Sequence, residues 1–381
     1  MSKQQKKKTK TGSHKSKRQG RSNHRKSSQR GIHRDPQALL KRRADERLEL
    51  SDFFDGDLSN MATGLVVSRK GPVYIVRWQN GFSPSPEFWS EGQEALQMGE
   101  ELSCIARREG KAAVIGDIVH FIWEQSDLAL GLIVAVELRD NALVRADALG
   151  RRPQTLAANL DRIWVVSALD PPPKSGLIDR YLVAAHVNHI NVGLILNKVD
   201  LFMDEEHVEE LESFLEPYRS LQLPILLLSA TEGEGIEKLN HYLQAERSVF
   251  VGHSGVGKTS LLNALIPGLD EAVTEVSDAT GKGQHTTTTS TLYTLEHGGE
   301  IIDSPGIRSF GLWDMPPEQL KDHFSEFLKY AGQCYFHNCT HLHEPKCAVI
   351  EALDREEIHV ERYENYVRIY DDLLDESSET Y

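Results

Sequence analysis

The stretch VFVGHSGVGKTSLL, Val249 to Leu262, decides how the rest of the chain is read. From Gly252 to Thr259 it fits the phosphate-binding template G-x-x-x-x-G-K-[ST], with the apolar run SVFV before it and the helix-forming run SLLNAL after it. Strand, glycine turn and helix are the context that template needs. Glycines at 252, 255 and 257 let successive backbone N–H groups turn inward, and a helix beginning near Lys258 adds the positive end of its dipole. Gly252, His253, Ser254, Gly255, Val256, Gly257, Lys258, Thr259 and Ser260 are therefore expected to bind nucleotide phosphates. Lys258 would act as a point charge on the outer phosphates, and the Thr259 hydroxyl is suited to hold Mg²⁺. The competing reading is a plain glycine turn with an exposed lysine.

Upstream, the run VGLILN ends in Asn197, Lys198, Val199 and Asp200, the tetrad N-K-x-D. At the C-terminal end of a strand in a parallel sheet, the Asp carboxylate can accept from N1 and N2 of guanine, donors that adenine does not offer. This favours GTP over ATP. Ser229 and Ala230 close another apolar run, ILLLSA, from which backbone N–H groups can meet the guanine carbonyl. Downstream, EIIDSPG places Asp303 to reach Mg²⁺ through water and Gly306 to donate a backbone N–H to the terminal phosphate. The segment GKGQHTTTT, residues 281 to 289, offers hydroxyls for a second Mg²⁺ contact, or is only the start of an edge strand. In an ordinary GTPase the phosphate loop precedes the base-selecting motif; here the order is reversed, as in a circular permutation that closely spaced termini tolerate.

Outside these motifs the chain changes character several times. Residues 1–45 hold 16 Lys+Arg against 2 Asp+Glu, leaving 27 against 55 for the remainder of a chain whose net charge is -14. Such an arm cannot bury enough apolar surface to order itself, and its charge suits phosphate neutralisation on nucleic acid; a solvated solubility tail is the bland alternative. From Met61 to about Asp147 come TGLVVSR, VYIVRW, ELSCIARR, DIVHFIW and LGLIVAVEL, short β-type runs between turn residues that predict an OB-like barrel. Arg69, Lys70, Arg77, Trp78, Arg107, Arg108 and Lys111 are candidates for a nucleic-acid face on it, each weighed against a core or solvated role. After Arg152 strands and helices alternate, which predicts a parallel sheet covered on both faces. From about Pro316 the pattern is helical, with a helix near Arg355 to Leu374.

Three of the four cysteines crowd into one segment, Cys334, Cys339 and Cys347, and with His341 they have the spacing C-x4-C-x-H-x5-C. Three thiolates and an imidazole suit one tetrahedral, structural Zn²⁺, with His337 and His343 as competing nitrogen ligands. No run reaches the roughly 18 apolar residues of a membrane span. The chain is read as a cytoplasmic monomer without membrane attachment.

The permuted order, QHTTTT followed by IIDSPGIRSFGL, and the cysteine-histidine pattern ending in HEPKCAV resemble the RsgA family of ribosome small subunit-dependent GTPases over residues 61 to about 375. That resemblance implies an OB-fold barrel, a circularly permuted P-loop GTPase region of α/β class and a helical zinc-binding region. The expected segments are a basic extension 1–45, a barrel 46–152, a GTPase region 153–315 and a zinc region 316–381. It further implies hydrolysis of GTP to GDP in late maturation of the 30S subunit, with contacts to 16S rRNA and stimulation by the subunit. The position that often carries a water-orienting Gln holds Ile307; the resemblance maps that role onto His285 and a Mg²⁺ contact onto Thr287. DSPG also runs directly into the zinc region, a route by which the γ-phosphate could be sensed there. Two rivals stand beside this reading: a GTP-gated rRNA clamp with incidental turnover, and an ATPase of RNA remodelling, which Asp200 opposes.

Overall fold

Five of the β-type runs become strands β1 (Met61–Lys70), β2 (Val73–Gly81), β3 (Glu101–Ala106), β4 (Ile118–Trp123) and β5 (Gly131–Val136) in a computed structural model. It describes residues 61–89, 94–106, 112–126, 129–146, 153–201, 205–269, 290–303, 312 and 315–378. The five pair in the order β1-β2-β3-β5-β4, and β4 returns to β1, closing a barrel of OB connectivity. Strict alternation in β2 and β4 sends every second side chain inward, among them Val76, Trp78, Val119, Phe121 and Trp123. The expected nucleic-acid face is altered accordingly. Trp78 is a core residue at 3 % exposure, and its indole N–H donates to the Asn80 carbonyl. Arg77 is engaged by Glu101 and Glu300, and Arg107, Arg108 and Lys111 lie outside the described residues.

A hairpin follows, β6 (Ala142–Ala146) with β7 (Pro153–Ala158), which the sequence reading did not separate from its surroundings. Then comes the second half of the sheet: β8 (Arg162–Ser167), β9 (Asn191–Asn197), β10 (Ile225–Leu228), β11 (Arg247–Val251), β12 (Thr291–Thr294) and β13 (Glu300–Asp303). Their spatial order is β10-β9-β8-β11-β13-β12, parallel throughout except for the antiparallel β12. Both faces are covered, so β8, β9 and β11 are apolar almost without interruption. Alternate residues serve opposite cores: Ile163, Val165 and Val249 on one side, Trp164, Val166 and Phe250 on the other. Helices α1 (Ser175–Val187), α2 (Glu205–Arg219), α3 (Ile236–Leu243) and α4 (Lys258–Leu265) connect these strands.

Barrel and parallel strands form one sheet through β1 and β12, where Ser68 pairs with Thr291. Glu300, first residue of β13, fixes the joint by binding Arg77 of the barrel at 3.1 Å and Arg247 of β11 at 2.8 Å. Arg247 also donates to the Gly116 carbonyl of the barrel at 3.0 Å.

The C-terminal part is less helical than its composition suggests. Short 3-10 turns, Pro317–His323 and Phe327–Tyr330, precede the cysteine segment, and helices α5 (Ala348–Asp354) and α6 (Val360–Ser378) follow it. Leu320, Phe324, Phe327, Tyr366 and Ile369 form its core, joined by Val183 of α1. No helix among the described residues is long and apolar enough to cross a membrane.

Candidate functional site

Strand β11 sits at the centre of the parallel strands, between β8 and β13, and the phosphate loop leaves its C-terminal end. That is where the connections diverge to either side and where open α/β sheets bind ligands. Gly252 and Gly257 have φ of 140° and 90°, conformations that side chains disfavour. A Cβ on Gly252 would stand 2.2 Å from the Val166 carbonyl oxygen, and one on Gly257 would stand 2.2 Å from Asn197 Nδ2. Only glycine lets the loop lie this close to β8 and β9. Lys258 Nζ donates to the carbonyls of Gly252 at 2.7 Å and His253 at 2.6 Å, so the ammonium is held against its own loop. Buried Val256, Leu261 and Leu262 anchor loop and helix from below, while Ser254, Gly255, Thr259 and Ser260 remain exposed.

The Asn-Lys-x-Asp tetrad lies beside this loop, as its place at the end of β9 requires. Asn197 is buried at 2 % exposure. Its Nδ2 donates to the Val256 carbonyl at 2.9 Å, and its Oδ1 accepts from the Ala230 N–H at 3.0 Å. One amide thereby joins three loops from three strands. Lys198, at φ 68°, directs its ammonium to the Asp170 carbonyl at 2.9 Å. Val199 and Asp200 lie in the 3-10 turn that follows. Asp200 Oδ1 is buried without a hydrogen-bond partner. A buried carboxylate oxygen lacking a donor costs stability. The Ser229 hydroxyl lies 3.1 Å from the Thr231 hydroxyl and accepts from the Glu232 N–H at 3.1 Å, which shapes the turn after β10.

Asp303 ends β13, parallel to and in register with β11 through Val249 and Ile302. It therefore stands at the same end of the sheet as the phosphate loop. His285, Thr287, Gly306 and Ile307 lie outside the described residues.

A second cluster occupies the C-terminal part. Donor atoms of Cys334, Cys339, His341 and Cys347 all lie within 4.8 Å of one another. His341 Nδ1 is 3.6 Å from Cys334 Sγ and 3.3 Å from Cys347 Sγ, and the two sulfurs are 3.9 Å apart. Ligands about 2.3 Å from a tetrahedral ion stand roughly 3.8 Å apart, so the donor set fits a metal. His337 and His343 are exposed and outside this group, which leaves His341 as the nitrogen donor. The surrounding bonds hold the ligand-bearing backbone. Tyr363 donates to the His341 carbonyl at 2.7 Å, Tyr366 to that of Thr340, and Lys321 to that of Cys339 at 2.8 Å. Burial would raise the Glu344 carboxyl, but bonds from the Thr340 hydroxyl and from backbone N–H groups hold it well below the usual carboxylate range. With three ligands buried and the fourth half-buried, the cluster suits a structural metal.

Sequence reasoning named Asn197 for its motif and missed its role as a tie between loops, because neither partner is near it in the chain. It also missed the buried network of Asp179, Arg362, Glu326 and Asn365, in which Arg362 donates to Asp179 and, at 2.6 Å, to Glu326. No spacing in the sequence announces that network.

Comparison with known proteins agrees with this geometry. A family model described as RsgA GTPase matches residues 136–313. A small ribosomal subunit biogenesis GTPase RsgA from Haemophilus influenzae is 42 % identical over 288 residues, covering 74 % of this chain and 82 % of the relative. The protein of that name from Photorhabdus laumondii is 39 % identical over 357 residues, covering 91 % and 94 %. Among solved structures, YjeQ from Thermotoga maritima superposes with a TM-score of 0.64 at 32 % identity, over 82 % of this chain and 99 % of that one. YloQ, described as a circularly permuted GTPase, gives 0.60 at 26 % identity, over 83 % and 96 %. Motif order, barrel, phosphate loop and cysteine cluster thus converge with these likenesses: the chain belongs to the RsgA family of small ribosomal subunit biogenesis GTPases.

Proposed function

We propose that this GTPase binds GTP with its phosphates on the loop Gly252–Ser260 and its base on Asp200, and that hydrolysis times its release from the 30S subunit late in maturation. The observation that carries this reading is the buried Asn197 amide, which bonds the tetrad to the Val256 carbonyl of the phosphate loop and to the Ala230 N–H. Ala230 N–H, already given to Asn197, would be shared with the guanine carbonyl. Thr259 and Asp303 are the described residues that would hold Mg²⁺, with Thr287 from the preceding segment; when bound, Mg²⁺ neutralises charge on the β- and γ-phosphates. Gly306 would donate its N–H to the terminal phosphate, and His285 would orient the attacking water in place of Ile307. Zn²⁺ is the metal that three thiolates and an imidazole favour at the C-terminal cluster.

The partner in this reading is 16S rRNA on the 30S particle, met by the monomeric protein in the cytoplasm. Five described arginines, 77, 139, 162, 247 and 362, are already bonded to carboxylates of the protein itself, which shifts weight onto the basic residues 1–45 for phosphate contact. GTP turnover titrated with purified 30S subunits tests the proposal. A rate that rises many-fold with subunits and is lost in His285→Ala supports it. A flat rate rejects timed hydrolysis in favour of a nucleotide-gated clamp.

A further inference from the structure

The turn that carries the first two cysteines of the cluster also carries a pair of exposed aromatic rings. Among the described residues only three Phe, Tyr or Trp side chains are exposed, Phe82, Tyr335 and Phe336, and the last two are neighbours between Cys334 and Cys339. Tyr335 is 70 % exposed and Phe336 40 %. Their rings meet edge to face with centroids 4.9 Å apart, an arrangement that the ring quadrupoles favour. The backbone beneath them is tied on both sides. Tyr335 N–H donates to the Lys346 carbonyl at 3.2 Å, and the Phe336 carbonyl accepts from the Cys339 N–H at 3.2 Å. The rings therefore stand on the loops that bear the cluster residues Cys334, Cys339 and Cys347.

The charge of this segment is positive in a chain whose net charge is -14. Residues 327–347 hold Lys329 and Lys346, both exposed, and a single carboxylate, Glu344. Glu344 is turned onto its own loop: Oε1 accepts from the Thr340 N–H and hydroxyl, and Oε2 from the N–H groups of Leu342 and His343. Lys346 Nζ stands 5.1 Å from the centroid of the Tyr335 ring, a cation–π contact. Around the rings in the chain, Ala331, Gly332, Gln333, His337 and Asn338 are all exposed, so the pair lacks the apolar surround that the centre of a stable protein interface needs. Exposed rings beside a cation instead fit a nucleobase and its phosphate, because every base has a flat face that can stack. A base inside a duplex has no such face free, so the fit is to an unpaired strand.

We infer that Tyr335 and Phe336 form a stacking platform for unpaired bases of RNA, with Lys346 taking an adjacent phosphate. The cluster beneath them holds the platform's backbone in place before RNA arrives, which lowers the ordering cost of binding. This locates one contact within the proposal that rRNA is the partner and rests on that reading, but it needs neither GTP binding nor hydrolysis. It also separates two kinds of contact. Basic residues 1–45 act by neutralising phosphates, an effect that salt weakens, whereas stacking persists at high salt.

Anisotropy of a short fluorescent oligouridylate, titrated with the full chain over a range of salt, tests the platform, with bound metal and circular dichroism checked in each variant. At high salt, where residues 1–45 contribute least, Tyr335→Ala and Phe336→Ala should each weaken binding about fivefold to a hundredfold, the range of one stacked base. The slope of log affinity against log salt should stay unchanged in both. Tyr335→Trp should keep the affinity, and Tyr335→Leu, which keeps apolar bulk without a ring face, should lose it as Ala does. Lys346→Gln should instead flatten the slope by about 0.7, the share of one phosphate on a single strand. If Phe336→Ala loses its metal, Phe336→Leu removes the ring face with less loss of packing. No binding by wild type, wild-type affinity in the two Ala variants, or full affinity in Tyr335→Leu would each overturn the inference. Ring variants that lose 30S subunits but keep oligouridylate would overturn it too, since the rings then face a protein. A wild-type chain that binds oligouridylate through these rings but not 30S subunits would instead sink the function proposed above.

Discussion

Asn197 Nδ2 and the Val256 carbonyl are hydrogen-bonded at 2.9 Å across 59 residues of sequence, in a contact closed to solvent. The bond joins the Asn-Lys-x-Asp tetrad to the glycine-rich loop after β11. Asn197→Ala leaves this carbonyl and the Ala230 N–H without their partner, at a cost of about 1–3 kcal/mol for each buried group left unsatisfied. Asn197→Asp keeps an acceptor for Ala230 but loses the donor to Val256, so it should retain less stability than wild type and more than Ala. Urea denaturation of the three proteins measures the ranking, and an Ala variant as stable as wild type would remove the tie from the account.

Asp200 offers two acceptor oxygens, one of them buried without a donor. Asp200→Asn replaces one acceptor by a donor, which no longer matches the two donors of guanine but does match the N–H and carbonyl of xanthine. GTP affinity should fall about 100-fold, roughly 2.7 kcal/mol for charge-assisted bonds, while XTP affinity rises. Competition binding with both nucleotides reads this directly. Parallel loss of both would place the base elsewhere.

At the cysteine cluster, four donors substitute for the larger core that a short, turn-rich segment cannot build. Removing the metal with a strong chelator should expose the backbone of residues 334–347 to hydrogen exchange and leave β8, β9 and β11 protected. Cys339→Ser should do the same without chelator. Equal protection with and without metal would make the cluster dispensable for folding.

The pair Asp179 and Glu326 shares one guanidinium, Arg362, in a buried site. Burial, with a smaller push from Glu326, carries the Asp179 carboxyl up to about 6 against the pull of Arg362 and Asn365. Tyr218 is the other titratable group facing it. A carboxyl raised on folding binds its proton more tightly in the folded than in the unfolded chain, so its contribution is present at low pH and lost as pH rises through about 6. Between pH 4 and 6 wild type should therefore lose stability with rising pH more steeply than Asp179→Asn. Identical slopes in urea titrations would assign the pH dependence to other groups.

Several features were legible because their signals are local. Alternating apolar residues in VYIVRW and DIVHFIW marked barrel strands, and unbroken apolar runs marked β9 and β11 as strands buried on both faces. Other features resisted reading for physical reasons. The hairpin β6–β7 has weakly apolar strands, ALVRA and PQTLAA, whose pairing supplies what their composition does not. The last helix begins at Val360, not near Arg355, because Arg355 caps α5 and pairs with Glu357 instead of starting a new turn. Trp78 and Arg77 sit next to each other in a β-strand, where neighbours point to opposite faces: one fills the barrel, the other clasps Glu300.

By itself, the order of residues determined the G-x-x-x-x-G-K-T loop, the N-K-x-D tetrad, their reversed succession and the cysteine spacing, since each is a pattern within a few positions of backbone. Tertiary structure alone decided that His341 and neither neighbour faces the three sulfurs, and that Asn197 holds Val256. It also decided that Arg362 reaches Asp179 across 183 residues and Arg77 reaches Glu300 across 223. Those pairings follow from how packed layers bring distant segments within hydrogen-bonding range and exclude water from them, and neither distance nor burial is a property of a stretch of sequence.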